Sequence, residues 1–247
     1  MSSSVSVPFS EPPWLTGLPS PYYNESHIRW QKACRAFIDE HLAPFALEWE
    51  TTGDVPSHVF TTFSKYNMLI PNLPAPLPVE MLQSLGIHEL IGGLKVEEFD
   101  YFHFAIYINE MRRVGVGSPT SSLSTGVAYG MPPIISYGSK ELQERLLPEL
   151  IRGEKRICIA ITEPDAGSDV ANLNTIAVKS DCGRFYIVNG EKKWYGISPV
   201  RGILETNDIV GLQTEFGHTM QLWLFALEAQ EQRDCPCWSF RCWGSKA

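Results

Sequence analysis

The sequence predicts an α+β fold in which a helical N-terminal part is followed by a smaller antiparallel β part. Apolar residues recur at helical spacing up to about Arg152, whereas from Lys155 they alternate with other residues, as in a strand with one buried face. With 247 residues and 44% hydrophobic content, the chain is long enough to bury the cores of two domains. We therefore expect an extended proline-rich arm over residues 1–24, a helical domain over 25–154 and a β-rich domain over 155–247.

The first part of the chain predicts an arm followed by an amphipathic helix. Prolines are frequent before Tyr23 and predict an extended segment that Trp14 anchors to the body. The helix is expected to begin at a cap at Asn24 or Ser26 and to end near Pro44. Further helices are predicted at residues 56–66, at 79–85, at 96–114 and after an N-cap at Ser139.

Residues 96–114 form the longest helical pattern and predict a buried helix. Its buried side is expected to carry Phe99, Phe102, Ala105, Ile106, Ile108 and Met111, with Glu97, Asp100 and Arg112 in water. The small residues that follow, between Ser124 and Gly130, predict close packing between helices.

The segment that begins at Ile157 predicts a strand followed by a sharp turn. Ile157, Ile159 and Ile161 alternate with other residues, and Pro164 and Gly167 then break the strand. We expect this reversal to bring the hydroxyls of Thr162 and Ser168 together at a strand end that faces a groove. The carboxylates of Glu163, Asp165 and Asp169 are expected to cap and solvate the turn rather than to act as acid or base.

Two hairpin signals follow this turn. Residues 175–180 and 185–188 are predicted strands joined through Asp181-Cys182-Gly183-Arg184, and Asn189-Gly190 predicts a second turn before a strand that carries Trp194.

The sequence Thr162-Glu163-Pro164-Asp165-Ala166-Gly167-Ser168-Asp169, followed by Asn189-Gly190-Glu191-Lys192-Lys193-Trp194, resembles the flavin-binding segment of the acyl-CoA dehydrogenases. The resemblance runs from about Glu25 to Trp194 and implies a helical N-terminal domain, a β-rich middle domain and an FAD cofactor. It also implies flavin contacts from Ile159, Ala160, Ile161, Thr162 and Gly167. Ser168 would lie where flavin and substrate meet, and Trp194 would cover the ring.

The chain departs from the family pattern after Trp194. Tyr195-Gly196-Ile197-Ser198 stands where the family has Ile-Thr-Asn-Gly, so Gly196 cannot supply the family's threonine hydroxyl. From about residue 195 the sequence follows no recognisable family pattern, and the C-terminal helical domain with the catalytic glutamate is missing. We nominate no catalytic residue and expect the 247-residue chain to bind FAD weakly and to leave acyl-CoA unoxidised, unless Glu205 or Glu215 replaces the base.

The resemblance implies a function with an acyl-CoA substrate. The first hypothesis is an FAD-dependent acyl-CoA dehydrogenase, truncated or altered in its gene, which removes an α-proton and a β-hydride from an acyl-CoA thioester. The alternatives are a catalytically inactive vestigial or interaction protein that keeps the fold, and an acyl-CoA oxidase-like enzyme. The family also implies a homo-oligomer.

Charge and apolar runs exclude two classes of partner. The formal net charge is -8, and no Lys/Arg cluster offsets it, so nucleic-acid binding is not expected. No apolar run reaches the roughly 20 residues that span a bilayer. The first Lys or Arg is Arg29, which does not fit an N-terminal transit peptide.

The cysteines and the last residues bear on metal binding and localisation. The six cysteines lack the spacing of a disulfide framework and predict reduced thiols in an intracellular compartment. Cys235, Cys237 and Cys242 lack a fourth ligand, so no metal site is predicted. Ser245-Lys246-Ala247 is a weak relative of the peroxisomal Ser-Lys-Leu signal, which leaves a cytoplasmic or a peroxisomal location.

Overall fold

A computed structural model describes residues 11–179, 186–190, 209–216 and 219–228. It confirms the α+β class: a helical body precedes a small antiparallel sheet. The helices are α1 (Glu25–His41), α2 (Ala46–Thr52), α3 (Ser57–Lys65), α4 (Val79–Ser84), α5 (Tyr101–Arg112), α6 (Ser118–Thr125), α7 (Met131–Tyr137) and α8 (Lys140–Ile151). A five-residue π-helical turn, Gly126–Gly130, joins α6 to α7. Among the described helices, none combines the length and the apolar composition needed to cross a bilayer.

The helical core forms around α1 and α5, which lie side by side. Trp30 and Ile38 on α1 and Tyr107 on α5 are fully buried or nearly so, and the Trp30 indole N–H donates to the carbonyl of His103 at 2.9 Å. Burial of this indole removes a large apolar area from water, and the hydrogen bond satisfies its one polar atom. Trp14 packs against this core, as predicted for the anchor of the arm, and it stacks on Tyr23 with ring centroids 4.3 Å apart.

Several helix ends confirm the predicted caps. The Asn24 side chain accepts from the amides of Ser26 and His27, so Asn24, and not Ser26, caps α1. Ser139 accepts from the Leu142 amide and caps α8. Helix α1 ends at His41, shortly before Pro44, and the sequence reading missed the short helix α2 that follows.

The prediction for residues 96–114 is wrong in two respects. Helix α5 begins only after Asp100, because this side chain caps it, and Val96–Glu98 forms a 3-10 turn instead. The buried face is also rotated: Phe102 and Ala105 are exposed, whereas the polar His103 and Glu110 are buried next to Ile106 and Met111. Partners on α1 satisfy both polar side chains, which is why an apolar pattern alone could not place them.

The larger sheet has the strand order β3-β7-β4-β5, with β6 paired to β7, and every pairing is antiparallel. Its strands are β3 (Arg156–Ala160), β4 (Ile176–Lys179), β5 (Tyr186–Asn189), β6 (Ile209–Phe216) and β7 (Thr219–Glu228), while β1 (Glu89–Leu90) and β2 (Leu94–Lys95) form a separate small pair. The β4–β5 hairpin confirms that prediction, whereas its turn at 181–184 and the strand around Trp194 lie outside the described residues. Strands β6 and β7 lie beyond the point where the sequence reading lost the pattern, and β7 pairs with β3 along the whole length of β3.

The sheet meets the helical body through β3 and the π-helical turn. A Cβ placed on Gly130 would stand 2.8 Å from Cγ1 of Ile157, closer than real side chains approach each other. The Arg156 guanidinium also lies 3.7 Å from the centre of the Phe60 ring. The small-residue segment therefore packs closely, but this contact is with a strand and not with a helix as predicted, and it fixes the strand from which the site begins.

Candidate flavin-facing site

The site is built on the chain that leaves β3. Ile157 is buried, Ile159 and Ile161 are half-buried, and the strand ends at Ala160, so Ile161 and Thr162 lie just beyond it. The chain then reverses in a tight turn, where the Glu163 amide donates to the Ala166 carbonyl at 2.9 Å and the Ala166 amide donates back at 3.3 Å. These reciprocal bonds hold Thr162 directly before the turn and Gly167 and Ser168 directly after it.

The carboxylate of Glu163 connects this turn to a later segment of the chain. Its side chain is almost fully buried, and its two oxygens accept from the main-chain amides of Asn174 at 2.5 Å and Thr175 at 3.0 Å. A buried carboxylate is tolerated where such donors replace its water. The turn is thereby tied to the residues that enter β4.

Solvent reaches the other side of the turn. Gly167 and Ser168 are exposed, and a Cβ placed on Gly167 would meet no atom of the described residues within 4 Å, so the described part of the chain leaves the space beside this backbone open. Thr162 is half-buried. Hydroxyls and accessible main-chain groups beside open space are what a flavin ring edge requires, so the residues present fit FAD.

The predicted site residues are only partly placed together. Thr162, Gly167 and Ser168 lie on one turn at the end of β3, after Ile159 and Ile161. The side chain of Ala160 and the whole of Trp194 lie outside the described part of the chain. The groove expected beside the two hydroxyls stays a prediction.

The other carboxylates of the turn are not set up for proton abstraction. Asp165 is exposed, and Asp169 is exposed with one oxygen 2.6 Å from the Asn172 side-chain amide. Asp169 also accepts the Asn172 main-chain amide through its carbonyl, at 3.2 Å. The exposure of Asp165 and these contacts of Asp169 fit the expected capping and solvation roles, whereas the buried Glu163 does not.

A second cluster lies where α1 and α5 begin. Asp100 caps α5, and its Oδ1 lies 3.2 Å from Nε2 of His27 and 2.8 Å from Nδ1 of His103. The two imidazole rings stack with centroids 4.0 Å apart. Burial and the neighbouring His27 lower the pKa of His103, although Asp100 opposes this shift. Burial alone would raise the pKa of Asp100, but the hydrogen bonds that Asp100 accepts hold its pKa below the ordinary value.

The atoms of this cluster lie within 4.8 Å of one another, close enough to suggest a metal site. The hydrogen bonds favour a different role. Nδ1 of His27 accepts the Asn24 amide at 3.1 Å and Nδ1 of His103 accepts the Asp100 amide at 3.2 Å, so each ring completes the capping box of its own helix. A cation bound between Asp100 and Nδ1 of His103 would displace the Asp100 amide and would sit at two positive helix ends. We assign the cluster to helix capping.

A buried carboxylate, Glu110, holds the middle of α5 against α1. It is fully buried and accepts from Arg35 at 2.8 and 3.0 Å, from Gln31 at 2.9 Å and from Arg113 at 3.0 Å. Burial alone would raise the pKa of Glu110, but these bonds outweigh it and keep the pKa below the ordinary range. Arg35 also contacts Glu11 at 2.7 Å, which ties the arm to the same network.

The family follows from comparison with known proteins. The family model of the acyl-CoA dehydrogenase N-terminal domain matches residues 24–154, and that of the acyl-CoA dehydrogenase middle domain matches residues 158–224. Together they match more than half of the chain, which belongs to the acyl-CoA dehydrogenase family. The second match extends beyond Trp194 to residue 224 and so includes β6 and the first part of β7.

Two fungal relatives are particularly similar. Acyl-CoA dehydrogenase apdG of Emericella nidulans is 64% identical over 194 residues, which are 78% of this chain and 44% of that protein. Acyl-CoA dehydrogenase AFT10-1 of Alternaria alternata is 37% identical over 190 residues, which are 76% of this chain and 42% of that protein. The chain thus spans less than half the length of these relatives.

Solved structures show the same fold. An acyl-CoA dehydrogenase complexed with FAD from Bacillus anthracis aligns with a TM-score of 0.59 at 20% identity, covering 85% of this chain and 37% of that one. A putative acyl-CoA dehydrogenase from Mycobacterium smegmatis aligns with a TM-score of 0.55 at 29% identity, covering 69% of this chain and 40% of that one.

The sequence reading missed the structural role of three groups. Glu163 was read as one of several solvated acids, whereas it is buried and bound to main-chain amides. The repeated pattern Asn24-x-x-His27 and Asp100-x-x-His103 was a usable signal for paired capping boxes. Nothing local marked the burial of Glu110, because its partner Arg35 is 75 residues away.

Proposed function

We propose that the chain is the flavin-facing part of an FAD-dependent acyl-CoA dehydrogenase, the class of enzyme that introduces a double bond between the α and β carbons of an acyl-CoA thioester. The proposal includes a division into a helical domain over residues 25–154 and a β-rich domain from residue 155. The single observation that carries it is the exposed Gly167–Ser168 turn, which lies beside open space at the end of β3 and is tied down from below by Glu163.

The residues that would hold FAD are those of this turn and the strand before it. Thr162 and Ser168 would supply hydroxyls to the ring edge, Ile159, Ala160 and Ile161 would supply backbone and apolar contact, and Gly167 would let the ring approach the main chain. Trp194 would cover the ring. Bound FAD supplies the two-electron oxidising capacity of the reaction.

The chain's own share of the chemistry is positioning. Ser168 is proposed to lie where the flavin and the acyl-CoA meet, so that the reacting carbon is held against the ring and water is excluded. The carboxylates of the turn are committed elsewhere, with Glu163 bound to amides and Asp165 and Asp169 exposed. The proposal therefore assigns cofactor and substrate placement to this chain and assigns proton abstraction to no described residue.

The test mixes the FAD-loaded 247-residue chain with acyl-CoAs of several lengths in the absence of oxygen and follows the visible flavin band. A saturable shift with acyl-CoA, and none with free CoA, supports the proposal. Rapid bleaching supports the family reaction as well and shows that a base, such as Glu205 or Glu215, is present after all. Absence of any response to acyl-CoA contradicts the proposal and favours the inactive scaffold. Oxygen uptake on adding acyl-CoA in air favours the oxidase-like alternative.

A further inference from the structure

We infer that Glu163 is a positioning residue for the flavin site, which holds the Thr162–Ser168 turn in one conformation through the main-chain amides of Asn174 and Thr175. The inference rests on the proposed function for its link to FAD. Its mechanical part, the fixing of the turn, is independent of any cofactor.

Glu163 lies at the start of the turn, where its backbone is coupled to both ends. It follows Thr162 directly, and its own main-chain groups exchange both hydrogen bonds with Ala166, the residue before Gly167. Any rotation of the Glu163 backbone therefore moves Thr162 on one side and Gly167 and Ser168 on the other. A side chain that anchors Glu163 anchors both hydroxyls.

The Glu163 carboxylate binds the two amides with both of its oxygens. Each of its two oxygens accepts one amide, from Asn174 at 2.5 Å and from Thr175 at 3.0 Å. A glutamine in the same place offers one acceptor oxygen and turns an NH₂ group toward the other amide, where two donors face each other. The position thus requires a group with two acceptor oxygens, which the carboxylate supplies.

The segment that carries the Asn174 and Thr175 amides is tightly packed. Thr175 is buried, and a Cβ placed on Gly190 would stand 2.1 Å from the Thr175 hydroxyl oxygen, so the end of β5 lies directly against it. Leu173 and Ala166 are buried on either side of the same connection. Glu163 therefore binds the packed segment that leads into β4, and this packing holds the turn in place.

The first experiment measures amide exchange in the cofactor-free chain by site-resolved NMR. Glu163→Gln should accelerate exchange of the Asn174 or Thr175 amide by about tenfold or more, with the amides of α1 and α5 unchanged. Thr175→Val is the matched control, because it alters a buried side chain at the same place and leaves the carboxylate intact. Unchanged exchange at both amides in Glu163→Gln would overturn the inference.

The second experiment is a double-substitution cycle on FAD binding. Glu163→Gln should weaken FAD binding by about tenfold, and Glu144→Gln, at an exposed position outside the site, should leave it unaltered. Thr162→Val should weaken binding in the native background but much less beside Glu163→Gln, since the hydroxyl is then no longer held in place. Equal losses in the two backgrounds would mean that Glu163 only supports the fold, which contradicts a positioning role.

The two experiments separate the possible failures. If the unsubstituted chain binds no FAD, the proposed function fails, while the exchange measurement still decides whether Glu163 fixes the turn. If Glu163→Gln loses protection throughout the chain, Glu163→Asp replaces it, because the shorter side chain keeps the charge but cannot reach both amides. Protection of both amides in a folded Glu163→Asp protein would contradict the inference.

Discussion

Gly130 lies so close to Ile157 that no methyl group fits between these two residues, where the helical body meets the sheet. A Cβ on Gly130 would stand 2.8 Å from Cγ1 and 3.0 Å from Cδ1 of Ile157, and Ile157 is itself buried. The contact fixes the position of β3 relative to the π-helical turn. The Thr162–Ser168 turn follows the other end of that strand.

Gly130→Ala should therefore lower the free energy of unfolding by about 1–3 kcal/mol, the usual cost of overpacking a filled core. Gly117→Ala is the control, because a Cβ there meets no atom of the described ranges within 4 Å and the backbone has an ordinary negative φ. Urea unfolding gives both values. Adding Ile157→Ala should cost less in the Gly130→Ala protein than alone, and simple additivity of the two losses would contradict the clash.

The buried Glu110 should make the free energy of unfolding depend on pH. Glu110→Gln should cost about 3 kcal/mol at pH 7, because it leaves the charges of Arg35 and Arg113 without their buried partner. Glu149→Gln, at a partly exposed pair with Lys155, should cost about 0–1 kcal/mol.

The sign of this pH dependence follows from the lowered pKa of Glu110. Its stabilisation is complete above the ordinary value of 4.5 and is lost as the pH falls through the lower folded value. The difference between the native chain and Glu110→Gln should therefore stay constant from pH 7 to about 4.5 and shrink as the pH falls further toward the folded value. Urea titrations across this range measure it, and a difference that grows in acid would contradict the assignment.

His103 predicts a second, milder pH dependence. Because its folded pKa lies below the ordinary 6.5, the unfolded chain takes up the proton first, and stability declines as the pH falls from about 6.5 toward the folded value. His103→Gln should remove this decline, because glutamine keeps the capping box through its side-chain oxygen but does not titrate. Thermal unfolding at pH 7 and pH 5 compares the two proteins, and an equal loss in both would argue against His103 as the source.

Tyr107 predicts the cost of an internal hydrogen bond. Its hydroxyl is fully buried, donates to the Met68 carbonyl at 2.8 Å and accepts from the Asn72 side chain at 3.2 Å. Tyr107→Phe should cost about 1–3 kcal/mol in urea unfolding, because both partners lose their bond in the core. Tyr137→Phe removes the hydroxyl of an exposed ring and should be nearly neutral. Equal effects of the two substitutions would contradict this reading.

Local chemistry explains which features the sequence could predict. The caps at Asn24 and Ser139 and the turn after β3 depend on residues within a few positions of each other, and the structure has them where the pattern indicates. The break at Pro44 follows from the same local rule.

Features that depend on distant partners were missed. The face of α5 was misjudged because burial of Glu110 requires Arg35 on another helix, and the role of Glu163 requires amides that arrive with β4. Strand β7 pairs with β3 across more than 60 residues of chain, a register that no local pattern encodes.

Titration of the 247-residue chain with FAD, followed by quenching of flavin fluorescence, tests the central claim most directly. The account predicts weak but saturable binding of one FAD per chain, further weakened by Thr162→Val and by Ser168→Ala and left intact by the exposed Glu144→Gln. Absence of saturable binding, or binding that neither Thr162→Val nor Ser168→Ala alters, would contradict the claim that the turn after β3 faces the flavin.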